Sequence, residues 1–316
     1  MWQRCMIFLA RRKGLKHFMQ NQAAMSELSR RFVGGSDVAQ AVNIANTLKS
    51  RGCAASLYYL GEYVEDAHVI AHTVSQLRSV AHYLAQAQLD IHISVDPTQI
   101  GHQLNSELCR SHAFDLANEI EAAAKVGPKP ARHLLMLDME DGSITQATVD
   151  LHRKLSAEVL PVAITLQAYL YRTESDLEPI IRHGGTVRLV KGAFAEGKNI
   201  AFTRAADIDN NFMRLADRML SQEARGTGFY PIFGTHDDRL IEKIIHIASA
   251  RSWPRDRYEF EMLYGVRRNV QEKLVRGGQR LRLYLPFGTD WWPYAVRRVG
   301  ERFKNLKLLM KAFINA

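Results

Sequence analysis

Short runs of apolar and β-branched residues alternate along the chain with longer stretches whose apolar positions recur at helical spacing. The runs that read as strands are Ala54–Leu60, Ile91–Val95, His133–Asp138, Val162–Gln167, Thr186–Lys191, Tyr230–Gly234, Tyr258–Phe260 and Arg280–Leu285. Amphipathic helices are predicted at Asp37–Leu48, Val64–Gln88, Asn105–Ala124, Ser143–Leu155, Glu174–Arg182, Asn199–Leu220, Asp237–Ala250, Val266–Val275 and Trp292–Leu309. Several of these open on a capping side chain, among them Ser36/Asp37, Asp141/Ser143 and Asp237, and others stop at Gly52 or Gly277. Strand and helix alternate with no Pro-rich or Ser/Gly-rich break, which predicts an α/β fold, a (β/α)₈ barrel of the TIM type. An open doubly wound sheet is the alternative, but no strand is followed by the GxGxxG of a dinucleotide fold.

The 316 residues, 47% hydrophobic and 24% charged, have the composition of a folded protein. The length suits one barrel, read as residues 30–316, behind an N-terminal extension of residues 1–29. The cysteines Cys5, Cys53 and Cys109 stand far apart with no CxxC, which argues for a reducing compartment, the cytoplasm. The apolar run Cys5–Ala10 is followed by Arg11, Arg12 and Lys13, not by a cleavage site, and no run is long enough for a membrane span. Charge is uneven: residues 1–53 carry 9 Lys/Arg against 2 Asp/Glu, residues 251–316 carry 15 against 6, and the middle is acidic. Basic ends suit an anionic membrane surface at the inner face, anionic small molecules, or plain solvation. No module or aromatic-interleaved basic run points to nucleic acid.

A barrel gathers its chemistry at the C-terminal ends of its strands. The predicted strand exits deliver Glu62, Asp96, Asp138, Gln167, Arg188 with Lys191, Thr235 with His236, Glu259, and Tyr284. On the last predicted helix Tyr294, Arg297, Arg298 and Glu301 share one face. Two adjacent guanidiniums suit a carboxylate or phosphate, although a solvated basic helix has the same spacing. Gly192 after Arg188-Leu189-Val190-Lys191 permits close backbone approach to a ligand. No HExxH or comparable ligand spacing is present, so no metal site is expected.

These residues carry a resemblance. Arg188–Ala193 (RLVKGA), Leu166–Leu170 (LQAYL), Tyr258–Arg267 (YEFEMLYGVR) and Arg282–Glu301 (RLYLPFGTDWWPYAVRRVGE) resemble the proline dehydrogenase family, as do Phe32–Gly35 and Leu60-Gly61-Glu62. The order of the motifs is the family's over nearly the whole chain, and the type is the monofunctional bacterial one. The resemblance implies a distorted barrel with FAD at its C-terminal face and a final helix over the mouth. It implies a substrate carboxylate paired with Arg297 and Arg298, Tyr284 and Tyr294 packed on the substrate ring, and Glu301 orienting an arginine. Arg188 would stand by the flavin N5, and Asp138 and Tyr284 would complete the catalytic group. Gln167, Val190, Lys191, Gly192, Ala193, Thr235, His236 and Glu259 would line the cofactor. The implied reaction is hydride transfer from C5 of L-proline to the flavin, with electrons passed to a membrane quinone. The oligomeric state is left open.

Two positions depart from the family pattern. Asp96, on the substrate side, stands in Ser94-Val95-Asp96-Pro97-Thr98 where the family usually has lysine. Against a substrate carboxylate this substitutes repulsion for attraction, about 4 kcal/mol for unit charges about 4 Å apart at an effective dielectric of about 20. The consequences open to it are an Asp96 turned away or paired with a local cation, another cyclic imino acid such as hydroxyproline as substrate, or a weak enzyme; a flavin-binding protein without turnover is the further alternative. Tyr284, expected to crowd a ring substituent, favours proline. The second departure is Phe194, where tyrosine is common.

Overall fold

Eight parallel strands close into one barrel in the computed structural model, which describes residues 31–61, 64–129, 132–292 and 294. The strands are β1 (Cys53–Tyr59), β2 (His92–Val95), β3 (Leu134–Leu137), β4 (Val162–Gln167), β5 (Thr186–Val190), β6 (Tyr230–Gly234), β7 (Glu259–Leu263) and β8 (Leu281–Phe287). Between and before them run α1 (Val38–Ser50), α2 (Ala67–Gln86), α3 (Ser106–Ala124), α4 (Thr145–Ala157), α5 (Thr173–Arg182), α6 (Ala205–Met219), α7 (Gln222–Thr227), α8 (Asp238–Ala250) and α9 (Arg268–Arg276). The ring closes through β1 on β8, from Cys53 opposite Leu281 to Tyr59 opposite Phe287. The predicted (β/α)₈ barrel is the observed fold.

Helix periodicity explains the outer layer. In α2, Ile70, Val74, Leu77, Val80, Ala81 and Leu84 are buried at three- and four-residue spacing and pack on the outside of the strands. Each large one contributes about 1.5–3 kcal/mol when fully covered. Side-chain caps set the starts: Asp37 accepts from the Gln40 amide at 2.9 Å, Asp66 from His68 at 2.8 Å, and Asn105 from Glu107 at 2.7 Å. Asp141 instead caps a turn at Ser143, and α4 begins at Thr145 without a side-chain cap.

Inside the ring lies a separate apolar cluster of Leu134, Met136, Ala163, Tyr230 and Ile232, contributed by β3, β4 and β6. The remaining strands put polar side chains inward, and these form the sites described below. Two strands run further than their sequence pattern suggests. β8 continues through Pro286 and Phe287, pairing with β1 to its end. β7 begins, and does not end, near Glu259 and continues through Glu261 to Leu263. Glu261 in an otherwise apolar run reads as the close of a strand, but a cation inside the barrel offsets its burial. The long helix predicted at Asn199–Leu220 is two helices, α6 and α7, with Ser221 capping the second by accepting from the Ala224 amide. No helix among the described residues is long and apolar enough to cross a membrane.

Candidate active site

Arg188 sits in the middle of β5, opposite Thr165 of β4, and its side chain is buried within the barrel. Its Nε donates to Thr165 Oγ1 at 3.0 Å, its Nη1 to Glu261 Oε1 at 2.5 Å and to Ser94 Oγ at 3.4 Å, and its Nη2 to Asp138 Oδ1. Burial alone would lower the guanidinium pKa, but Asp138 and Glu261 outweigh it and hold the charge firmly. Asp138 follows the last residue of β3. Burial raises its pKa against the pull of Arg188 and of donors from Tyr284 and Thr165.

Tyr284 projects from β8 and donates its hydroxyl to Asp138 Oδ2 at 2.8 Å. Its pKa is raised by burial first and then by Asp138 and Asp96, so the phenol keeps its proton as a hydrogen-bond donor. The Arg188 guanidinium lies 5.3 Å from the centre of the Tyr284 ring, a cation–π distance. The Tyr58 ring also lies beside Tyr284, centres 5.4 Å apart and tilted 30°. The Tyr58 hydroxyl donates to Asp96 Oδ2 at 2.6 Å. Asp96, buried at the exit of β2, is therefore held beside the tyrosine pair and does not point away into solvent.

Asp96, Asp138, Arg188 and Tyr284 are thus brought together at one end of the barrel. Gln167, at the end of β4, donates from Nε2 to the carbonyls of Met139 and Glu140 at 2.8 and 2.9 Å. Its Oε1 is buried and has no partner among the described residues, leaving an acceptor for a donor on a bound group. Glu140 ties the β2 and β3 exits together by accepting from Thr98 N at 3.0 Å and Thr98 Oγ1 at 2.6 Å.

The residues after β5 and β6 have structural partners. Val190 ends β5, and Lys191 is paired with Asp209 at 2.5 Å and Asp237 at 3.1 Å. Gly192, followed by the exposed Ala193, has φ +107°, and a Cβ there would lie 2.2 Å from a ring carbon of Tyr169, so only glycine fits. Thr235 Oγ1 accepts from the Asp237 amide at 3.1 Å at the start of α8. His236 Nε2 accepts from the Leu263 amide at 3.2 Å, while its carbonyl accepts from Arg267 at 2.5 Å.

One expected site residue is elsewhere. Glu259 opens β7 at the opposite end of the barrel, where it accepts from Arg282 Nε at 2.7 Å and from the Tyr230 hydroxyl at 3.2 Å. Its expected place at a strand exit is corrected, and with it a position lining a cofactor at the mouth. The acid that reaches Arg188 is Glu261, two residues on. The alternation of Glu259 and Glu261 with Phe260 and Met262 was the available signal, because it puts both carboxylates on the inward face. Tyr58, Ser94 and Thr165 were also not singled out from sequence. Tyr294 is buried, whereas Glu62, Arg297, Arg298, Glu301 and the 1–29 extension lie outside the described residues.

A closed parallel barrel with a buried arginine, carboxylates and stacked tyrosines at the C-terminal ends of its strands defines a TIM-type barrel enzyme. The chain belongs to the proline dehydrogenase family, whose sequence profile matches residues 41–309. It is 31% identical over 283 residues to proline dehydrogenase 2 of Bacillus subtilis strain 168, covering 89% of this chain and 88% of that one. It is 31% identical over 295 residues to the proline dehydrogenase of Deinococcus radiodurans, covering 92% and 91%. Among solved structures, proline utilization A from Corynebacterium freiburgense superposes with a TM-score of 0.75 at 19% identity, covering 98% of this chain and 34% of that one. The Bdellovibrio bacteriovorus protein of the same name gives 0.74 at 20% identity, covering 87% and 32%. The chain spans about a third of those longer proteins, and they bear on the fold. The family is one of flavoprotein oxidoreductases.

Proposed function

We propose that this protein oxidises L-proline to Δ1-pyrroline-5-carboxylate in proline catabolism, using FAD. The observation that carries this reading is the Asp138–Arg188–Tyr284 group: one firmly held cation, one buried carboxylate and one aromatic face meet where a flat ring and its substrate would lie. The site fits a flavin on two counts: the unpartnered Gln167 Oε1 offers an acceptor, and Arg188 offers a fixed positive charge. When bound, FAD would supply the two-electron acceptor for the hydride leaving C5, as the ring nitrogen loses its proton and the C5=N bond forms.

The chain's own residues supply position and field. Tyr284 presents its ring to the substrate while its hydroxyl stays fixed on Asp138, so the ring face is aimed before anything binds. Arg188 is held by Asp138, Glu261, Thr165 and Ser94 and needs no rearrangement to act as a fixed charge. Arg297 and Arg298 are assigned the substrate carboxylate, with Tyr294 against the ring and Glu301 holding an arginine. Val190, Lys191, Gly192, Ala193, Thr235 and His236 are assigned to the cofactor side. Electrons then pass to a quinone, and the basic ends of the chain suit peripheral contact between a cytoplasmic protein and an anionic membrane face.

Asp96 favours a second reading, since its carboxylate is fixed at the substrate side by Tyr58. On that reading the preferred substrate is another cyclic imino acid, such as hydroxyproline. Anaerobic titration of the FAD-loaded protein tests both. L-Proline is expected to bleach the oxidised flavin band, and an added quinone to restore it. Bleaching by dithionite and by hydroxyproline, but not by proline, would transfer the assignment to the second reading. Bleaching by dithionite alone would leave a flavin-binding protein without turnover.

A further inference from the structure

Below Arg188 the barrel encloses a polar circuit with one link missing. Arg188 Nη1 reaches Glu261 Oε1 at 2.5 Å and Ser94 Oγ at 3.4 Å. Ser94 Oγ is 3.1 Å from Ser56 Oγ, which is 2.8 Å from His92 Nδ1. The circuit would close between His92 and Glu261, and the two atoms left there, His92 Nε2 and Glu261 Oε2, are buried without a hydrogen-bond partner among the described residues. One ligand atom from each of His92, Glu259 and Glu261 lies within 4.8 Å of the others. His92 is fully enclosed, and unpaired polar atoms in such a place cost about 1–3 kcal/mol each.

The charges around this gap do not balance. Asp138, Glu259 and Glu261 are enclosed around Arg188 and Arg282, while two further buried carboxylates, Asp96 on Tyr58 and Glu140 on Thr98, lie toward the mouth. Asp90, which pairs with Arg282, and two cations, Arg280 at 3.8 Å from Glu259 and Arg132 over the Tyr230 ring, are partly exposed and act on the Glu259 end. The buried carboxylates outnumber the buried guanidiniums, which favours one of the acids keeping its proton. Asp138 accepts from Arg188, Tyr284 and Thr165, and Glu259 accepts from Arg282 and Tyr230 on both oxygens. Of the three around the arginines, Glu261 has an oxygen that nothing among the described residues donates to, so it is the one least stabilised as an anion. Burial raises the Glu261 pKa, with Glu259 and Asp138 adding to it against Arg188 and Arg282. Burial, Arg282 and Arg188 hold His92 well below the usual histidine range, so its imidazole is neutral and can accept.

We propose that Glu261 is a positioning residue for Arg188 that keeps the enclosed proton at neutral pH, donating from Oε2 to His92 Nε2 directly or through one bound water while His92 Nδ1–H donates to Ser56. One proton satisfies both orphan atoms and closes the circuit. A divalent cation there would sit close to two guanidiniums, whereas a proton or one water between two polar partners meets no such repulsion. The consequence for the reaction rests on the flavin reading above: Arg188 is oriented by two acids but charge-compensated by Asp138 alone. The placement of the proton is independent of that reading.

Infrared difference spectroscopy on the full chain, with carbon-13-labelled glutamate, tests the proposal without any flavin. A protonated-carboxyl stretch is expected that persists from about pH 6 to about pH 9, beyond ordinary carboxyl titration. It should vanish in Glu261→Gln and shift in His92→Phe, which removes the acceptor. In flavin-loaded protein, Glu261→Gln exchanges neutral for neutral and should leave the flavin midpoint potential in place. No such band, a band that survives Glu261→Gln, a rise in potential in that variant, or a metal ion retained in stoichiometric amount by purified protein would each overturn the assignment. If Glu261→Gln does not fold, the band in the unaltered chain and its shift in His92→Phe still decide it.

Discussion

Two arginines face inward in this barrel, one toward each end, and they are built for opposite purposes. Arg282, near the start of β8, is fully enclosed and spends its donors on Glu259, the Ala55 carbonyl and Asp90 at 2.7–2.9 Å. Its partner Glu259 also receives Tyr230, over whose ring Arg132 lies at 3.2 Å. Arg188 has as many partners, but toward the strand ends Gln167 Oε1 has none among the described residues, and Asp138 is held with a raised pKa. The closed network at the strand starts fastens the barrel, while the incomplete one at the strand ends has capacity left for a ligand. Charge in a barrel interior does not by itself mark the site. The distinction is whether the hydrogen-bonding capacity around that charge is used up.

The comparison breaks most visibly if Arg282 is removed. Arg282→Leu leaves Glu259 without its strong partner in an enclosed place and should cost about 3–5 kcal/mol of stability by urea unfolding. A loss below about 1 kcal/mol would mean that the closed network does not fasten the fold. Arg188→Met removes a fixed charge from the reacting region. It is expected to lower kcat/KM for proline by about 10²- to 10³-fold, a size typical of a lost preorganised donor. Arg188→Lys keeps the charge without the fork, and a full recovery there would argue that orientation by Asp138 and Glu261 is unimportant. Tyr284→Phe deletes one hydrogen bond to Asp138 and keeps the ring, so about a tenfold loss in kcat/KM is expected, equivalent to about 1.4 kcal/mol. An unchanged kcat/KM would detach Tyr284 from the site.

Sequence period alone predicts the barrel, because each helix carries an apolar stripe and each strand a short apolar run. Asp138, Arg188 and Tyr284 were also legible, as polar residues at or near predicted strand exits. What the chain conceals is pairing. Arg188 and Glu261 are 73 residues apart, and Tyr284 and Asp138 are 146 apart, so no local pattern says that they touch. The misplacement of Glu259 has the same origin: an acid within Glu259–Leu263 looks like a strand end until the arginine that offsets it comes from another strand. Asp96 was legible as a departure, but its tyrosine partner was not, since Tyr58 read as an ordinary strand aromatic.

The smallest effect separates the two ends by sign. Asp90 sits in the closed network, and Arg282 together with Arg280 pulls its pKa below the usual value despite the opposing effect of burial. The folded protein therefore binds the Asp90 proton less tightly than the unfolded chain. The stabilisation is present above the unfolded pKa of about 3.9 and is lost as pH falls through the folded value. Asp138 runs the other way: burial raises its folded pKa, so its contribution is present below about pH 3.9 and is lost as pH rises through the folded value. Urea midpoints from about pH 3 to about pH 7 should show Asp90→Asn flattening the acid limb and Asp138→Asn flattening the decline toward neutral pH, each by about 1 kcal/mol or less. The same sign of change in both variants would mean that the two networks do not differ in how they hold charge, and the division between a fastening end and a binding end would have to be abandoned.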